Sequence, residues 1–171
     1  MQREHTTGVK ILTYTLFLLV CYLLETATGL CRLQLFGVRI DVLCCIPAAV
    51  ALMEDPAVGA AVGLMTGLLY DVSGAGIEGL YPLYFMLFGA LAGAVGGRYL
   101  RRIWPSHLLL TAGGMLVLRG LQFMLAALIG TGYPVLPFLK AMYGEILAAV
   151  VLSPLIYLPA LRIARRFDRL K

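Results

Sequence analysis

The chain has 171 residues, of which 61% are hydrophobic and only 13% are charged, and its mean hydropathy is +0.90. A soluble domain is about 45–50% apolar and about 25% charged, so this composition excludes a soluble protein. It indicates an integral membrane protein with one transmembrane domain over residues 1–171. The formal net charge of +5 is explained by basic segments flanking the apolar runs and does not indicate a nucleic-acid partner.

Six apolar runs, separated by polar residues, glycine or proline, predict an all-α bundle of six transmembrane helices. The predicted spans are residues 11–30, 38–53, 58–72, 80–96, 108–129 and 138–161. No small-residue cleavage site follows the first run, so we interpret it as a retained helix and not as a signal peptide. A straight span needs about 20 residues; the second and third are shorter, and Pro47 indicates a kink or tilt in the second. The alternative is a four-span arrangement in which the second and third runs form a re-entrant hairpin.

Lysine and arginine are unevenly distributed between the two sides of the six-span arrangement. Most of them fall on one side when the amino terminus is placed inside, so both termini are predicted to be cytoplasmic. Aromatic residues at the predicted boundaries, Trp104 inside and Tyr81 outside, agree with an interfacial belt. The inner basic residues are candidate contacts for lipid headgroups or for a cytoplasmic partner. They are Arg98, Arg101, Arg102, Arg162, Arg165 and Arg166.

Glycines recur at intervals of four residues in two consecutive spans. The two sets are Gly59, Gly63 and Gly67 in the third span and Gly89, Gly93 and Gly97 in the fourth. Each set forms a smooth stripe on one helix face, which lets a neighbouring backbone approach closely. The pattern predicts tight packing of the two spans against each other, and the alternative is a docking face for another membrane protein.

Four ionisable residues lie within predicted spans: Glu25, Asp71, Arg119 and Glu145. At about 1.5 Å per residue, all four fall in the outer half of the bundle, where acids and a cation can neutralise one another. We expect Arg119 to pair with Glu145 or Asp71, with Gln122 one turn away on the same face. Such a cluster is a structural staple, a partner interface or part of a ligand path.

The remaining reactive residues do not form a recognisable catalytic, cofactor or metal motif, so the sequence predicts a non-enzymatic protein without cofactors. The four cysteines, which are interpreted as packing residues, are Cys21, Cys31, Cys44 and Cys45. His107 falls at a predicted loop and His5 in the amino-terminal segment, where a solvated histidine is expected.

Residues 35–102 carry an ordered set of glycines, leucines and acids: Gly37, Asp41, Gly59, Gly63, Gly67, Leu68, Asp71, Gly79, Leu80, Gly89 and Gly93. This set resembles the core of the rod-shape-determining membrane protein family MreD. That family has a Gly-x-x-Pro-Asp entry to the second span, a third span with spaced glycines ending in Gly-Leu-x-x-Asp, a Gly-Leu turn and a glycine-spaced fourth span. Ile40 departs from the pattern, because the family commonly has proline there.

The resemblance implies a non-enzymatic component of the bacterial cell-elongation machinery in the cytoplasmic membrane. MreD proteins associate with MreC, a single-span periplasmic scaffold, and with it link MreB filaments to the glycosyltransferase RodA and its partner transpeptidase. Those two enzymes build lateral peptidoglycan. Membrane lipids are expected contacts as well, whereas glycine stripes serve internal packing and dimers equally and leave self-association open.

MreD-like bundles in turn resemble the substrate-binding subunits of energy-coupling-factor vitamin transporters, which also have six spans. In this alternative, the four ionisable residues would line an outward-facing ligand pocket. Those subunits usually carry an Ala-x-x-x-Ala face on the first span, whereas residues 11–30 contain only Ala27. The sequence therefore favours the cell-elongation role.

Overall fold

The structure is a computed structural model that describes residues 2–28, 43–73, 79–99, 104–128 and 135–168, which form six α-helices and no strand. The helices are α1 (Gln2–Thr28), α2 (Cys45–Met53), α3 (Pro56–Val72), α4 (Leu80–Tyr99), α5 (Trp104–Leu128) and α6 (Val135–Asp168). Three of them contain segments long and apolar enough to cross a membrane: Gly8–Ala27, Trp104–Leu128 and Phe138–Phe167. The chain is thus all-helical where it is described, and its composition and these segments fit a membrane protein.

The short helix α2 lies at the centre of the molecule. All nine of its residues are buried, and it contacts α3, α4, α5 and α6. Its length of about 14 Å is well short of a hydrocarbon core of about 30 Å. Pro47 lies in the first turn, where a backbone N–H has no helical acceptor, so it does not interrupt the described helix as the sequence suggested. The first part of the predicted span, residues 38–42, lies outside the described residues.

A two-residue connection joins α2 to α3 and makes them a helical hairpin. Glu54 has an extended backbone, with φ −122° and ψ 175°, and its N–H donates to the carbonyl oxygen of Val50 at 2.9 Å. Asp55 is also extended, as expected for a residue before proline, and Pro56 begins α3. Pro56 thus keeps Asp55 out of a helical conformation and is itself the first residue of α3.

Helices α3 and α4 form the most extensive helix pair in the described chain, and glycines bring their backbones together. A Cβ added to Gly59 would lie 2.6 Å from the carbonyl oxygen of Gly89, and one added to Gly63 would overlap the carbonyl group of Phe85. Gly67 is equally close to the backbone of Pro82. The partners run in opposite order along α4, so the helices are antiparallel.

The other helices surround this centre. Helix α6 packs on α2 and α5, α5 also packs on α2, and α1 packs on α3. With 34 residues, α6 is about 50 Å long and so exceeds the thickness of a bilayer core. The largest fully buried side chains fill the space between these elements: Tyr14, Leu18, Ile46, Met53, His107, Val50, Val58, Val62, Thr66, Thr111, Pro47 and Cys45.

Side-chain contacts show which helix ends lie together. Near one end of the bundle, Lys10 of α1 contacts Glu54 of the α2–α3 connection and Phe167 in the last turn of α6. Near the other, the hydroxyl groups of Tyr22 and Ser73 are 3.2 Å apart, which joins the second half of α1 to the end of α3. The start of α1, the α2–α3 connection and the end of α6 therefore share one side of the molecule.

Candidate functional site

Arg119 and Glu145 form an ion pair between α5 and α6, at the centre of a polar network. Their side chains are 24% and 8% exposed, so the carboxylate is nearly enclosed and the guanidinium is partly accessible. Arg119 Nη1 also donates to Gln122 Oε1 at 2.8 Å, and Gln122 Nε2 donates to the hydroxyl oxygen of Tyr81 at 2.7 Å. Of the two partners predicted for Arg119, the structure shows Glu145, and the network extends from α6 through α5 to α4.

Tyr81 lies inside the bundle and not at an exposed boundary as an interfacial aromatic would. It is 3% exposed, and its ring stacks on Tyr70 of α3 with centroids 5.2 Å apart. Tyr70 in turn stacks on Phe85 at 5.4 Å, and its hydroxyl is 3.1 Å from Cys44 Sγ. Tyr81 thus lies at the start of α4 but is enclosed by neighbouring helices, and its hydroxyl bonds to the half-buried Gln122. Trp104, by contrast, is 46% exposed.

Asp71 does not pair with Arg119, the alternative that the sequence left open. Its Oδ2 accepts the backbone N–H of Gly79 at 2.7 Å, immediately before α4 begins. Gly79 has a φ of +81°, a left-handed conformation that glycine adopts without a steric penalty. Although Asp71 sits at the unfavourable carboxyl end of α3, its charge thus faces the amino end of α4, where the helix dipole favours an anion.

The four predicted intramembrane charges therefore do not form one cluster in the described contacts. Arg119 and Glu145 are in direct contact, Asp71 closes the connection between α3 and α4, and Glu25 is buried on α1 at 5% exposure. Sequence spacing predicts a shared depth, but it does not show which helix faces meet.

Five of the six glycines in the predicted stripes lie close to the backbone of a neighbouring helix, and a further glycine of α4 does so as well. Gly93 faces the start of α3, since an added Cβ would be 2.9 Å from Cα of Pro56. Gly96, which was not part of the predicted stripe, packs on α2, since an added Cβ would be 3.3 Å from the carbonyl oxygen of Ala51. Gly97 lies in the last turn of α4. The glycine face of α4 therefore serves both α3 and α2.

The predicted basic surface is partly described. Arg162, Arg165 and Arg166 are all exposed near the end of α6. Arg98 lies in the last turn of α4, and Arg101 and Arg102 lie outside the described residues, as do Gly37 and Asp41 of the family motif.

Two buried polar clusters were missed in the sequence. The first joins Lys10 and Tyr14 of α1 to Glu54: the ammonium pairs with Oε2, and the Tyr14 hydroxyl donates to Oε1 at 3.1 Å. The only sequence signal was an acidic pair, Glu54 and Asp55, just before a proline. Nothing local indicates that its partner lies in the first helix.

The second missed cluster surrounds His107, which was assigned to a solvated loop and is instead fully buried in α5. Nδ1 is 2.7 Å from Ser153 Oγ, and Nε2 is 3.1 Å from the carbonyl oxygen of Cys45. Because that carbonyl can only accept, Nε2 carries the proton, and the Ser153 hydroxyl donates to Nδ1. The imidazole therefore joins α5 to both α2 and α6. His107 was misplaced because α5 begins at Trp104, four residues before the predicted span.

These arrangements hold neighbouring helices together. Among the described residues, no group of three or more His, Cys, Asp or Glu side chains is placed to bind a metal ion. A cavity between α2, α4 and α5 has a volume of about 10 Å³, which is room for about one water. Its lining includes Cys44, Tyr84, Thr111 and Gly114.

Comparison of the chain with models of known protein families, with curated proteins and with solved structures gives no match.

Proposed function

We propose that the chain is a non-enzymatic, multi-pass membrane component of the bacterial cell-elongation complex, of the MreD kind. In this role it helps to link MreB filaments and MreC to RodA and the elongation transpeptidase, and so regulates cell shape. The chain acts as an adaptor: it presents helix faces and charged groups to its partners and carries out no chemistry itself.

One observation carries this proposal: the glycines that give the sequence its resemblance to MreD are the residues at which α3 and α4 meet. Gly59, Gly63 and Gly89 each face the backbone of the partner helix. Asp71 and Gly79, the next residues of the motif, close the connection between the same two helices. The part of the motif from Gly59 to Gly93 thus corresponds to one structural unit, which supports a family resemblance over a coincidence of composition.

The proposed topology has six spans with both termini in the cytoplasm of the bacterium. It is supported by the excess of basic residues flanking the inner ends and by the contacts that gather the start of α1 and the end of α6 on one side. The α2–α3 connection lies on that side as well. Helix α2 is too short to cross the bilayer core by itself, but in this topology its ends are enclosed by neighbouring helices and do not face lipid.

In this topology, the Arg119–Glu145 pair lies in the outer half, close to where a single-span partner such as MreC enters the periplasm. The guanidinium is the more accessible member of the pair and is the candidate contact. Arg162, Arg165 and Arg166 would face the cytoplasm, where MreB filaments and anionic lipid headgroups are the candidate ligands.

Purification of the tagged chain from its own cells in mild detergent, with identification of the proteins that come with it, tests the proposal. The control is an unrelated multi-pass protein with the same tag and expression level. Specific recovery of MreC, RodA or the transpeptidase is the expected result. Recovery of paired ATPases with a coupling membrane subunit would contradict the proposal and favour the vitamin-transporter alternative.

The double variant Arg119→Leu/Glu145→Leu then tests the outer-half contact, because it removes both charges without leaving one unpaired. If the pair binds a partner, the variant should accumulate normally and lose that partner. Unchanged recovery would assign the pair to support of α5 and α6 alone.

A further inference from the structure

Helix α1 is attached to the molecule by one face, on which Ile11, Phe17, Cys21 and Tyr22 are half-buried against the core. Its buried residues include Lys10, Tyr14, Leu18 and Glu25, which recur on one helix face. The opposite face exposes its large apolar side chains, as a lipid-facing surface does. These exposed residues are Val9, Leu12, Leu16, Leu19, Val20, Leu23 and Leu24. Apolar packing on α3 alone therefore specifies the position of α1 only weakly, because neighbouring apolar positions pack against lipid or protein about equally well.

Lys10 and Tyr14 of this face contact residues from two other segments, Glu54 and Phe167. We call these four residues the inner clamp. Lys10 Nζ pairs with Glu54 Oε2 and lies 5.9 Å from the centroid of the Phe167 ring, within the range of a cation–π contact. Although Glu54 as a whole residue is half-buried, its side chain is only 4% exposed, and that of Lys10 is 7% exposed. The clamp therefore joins three separate segments through largely desolvated groups.

Glu54 is the centre of the clamp because both of its carboxylate oxygens are bonded to α1. The two donors, Lys10 and Tyr14, are one helical turn apart on the same face. After a slide of α1 by one turn, about 5.4 Å, only one of the two donors could still reach the carboxylate. When Tyr14 takes the place of Lys10, the two charges are separated in an apolar environment. A buried ion pair adds little to stability compared with apolar residues, but it penalises every arrangement in which the charges are separated.

We propose that Glu54 is a positioning residue and that the inner clamp sets the register of α1 on the bundle. Helix α1 is thus attached beside the α2–α3–α4 centre, and the clamp fixes its place there. Through Phe167, the clamp also fixes the end of α6, next to the exposed arginines. This inference rests on the contacts of these four residues and is independent of the proposed function.

Hydrogen exchange of the full chain in detergent micelles, followed by mass spectrometry, tests the proposal because α1 and the α3–α4 pair are measured in one sample. The variants are Lys10→Met, Glu54→Leu and the double variant. Lys140→Met is the matched control, since it makes the same chemical change at an exposed lysine of α6. Tyr14→Phe removes one hydrogen bond and keeps both charges.

Each single variant at Lys10 or Glu54 should raise exchange in peptides of α1 by at least about tenfold and leave α3–α4 unchanged. The double variant should still raise exchange in α1, but by less than either single variant, because no unpaired charge remains while the ion pair that fixes the register is lost. Tyr14→Phe should have a smaller effect of about two- to fivefold. The double variant and Tyr14→Phe keep the test decisive if a single variant fails to fold.

Three results would overturn the proposal. Exchange in α1 that matches the Lys140→Met control would show that the clamp does not hold the helix. An equal rise of hydrogen exchange in all helices would show that the ion pair stabilises the whole fold and not the position of α1. A double variant worse than either single variant would show that the charges stabilise the bundle directly instead of specifying its register.

Discussion

The two helix pairs of this molecule, α3–α4 and α5–α6, are held together by different means. Along α3–α4, glycines remove the side chains and the backbones themselves meet. Along α5–α6, side chains make the contacts: Phe123 and Phe138 rings lie 5.0 Å apart, Arg119 pairs with Glu145, and His107 bonds to Ser153. The partners in both pairs run in opposite order, so both pairs are antiparallel.

The difference predicts how each pair responds to substitution. A backbone contact has no side chain that can move aside, so any added atom must separate the helices. A side-chain contact is sensitive to loss of one partner, but removal of both partners can be nearly neutral. The pairs should therefore differ in whether a second substitution can compensate for the first.

The largest effect is expected for Gly63→Ala. The new methyl group would overlap the carbonyl group of Phe85, and overpacking against backbone should cost about 3 kcal/mol of unfolding free energy. Gly113→Ala is the matched control, because an added Cβ there meets nothing within 4 Å. SDS-induced unfolding in mixed micelles measures both. Equal stability of the two variants would show that α3 and α4 can separate without cost.

A smaller effect is expected for Arg119→Leu, which leaves Glu145 buried without its cation. Because the guanidinium is 24% exposed, we expect a loss of about 2 kcal/mol and not the full cost of breaking a wholly buried pair. Adding Glu145→Leu should restore at least half of that loss. The same unfolding assay measures the two single variants and the double variant. If the loss in the double variant equals the sum of the two single losses, Arg119 and Glu145 act independently.

Ser153→Ala should cost about 1 kcal/mol, because it removes the hydroxyl that donates to His107 Nδ1 in the core. Thr26→Ala is the control, since the Thr26 hydroxyl is exposed and bonds only to the carbonyl oxygen of Tyr22 in its own helix. If both substitutions cost the same, the histidine does not contribute to the attachment of α6.

The sequence predicts the α3–α4 pair better than the other contacts, for a physical reason. Glycine spacing of four residues is local, and it reports directly on a helix face. The Lys10–Glu54 contact joins residues 44 positions apart, and no local feature of the sequence links the two residues. His107 was misplaced because a polar residue near the start of an apolar run marks a helix boundary and a buried network equally well. Local patterns thus find the helices and their smooth faces, but they do not identify the long-range polar partners.

The Asp71 carboxylate offers the finest test of the comparison, through two substitutions that each replace a charged oxygen by an amide. Asp71→Asn keeps an oxygen that can accept the N–H of Gly79, and the bond is exposed, so it should cost no more than about 0.5 kcal/mol. Glu145→Gln weakens a charged contact that is nearly enclosed and should cost at least about 1 kcal/mol in the same unfolding assay. If Asp71→Asn were as costly as Glu145→Gln, Asp71 would depend on a cation after all. The smaller loss at Asp71 would instead follow from its place before α4, where a backbone N–H and the helix dipole, and not an arginine, favour the carboxylate.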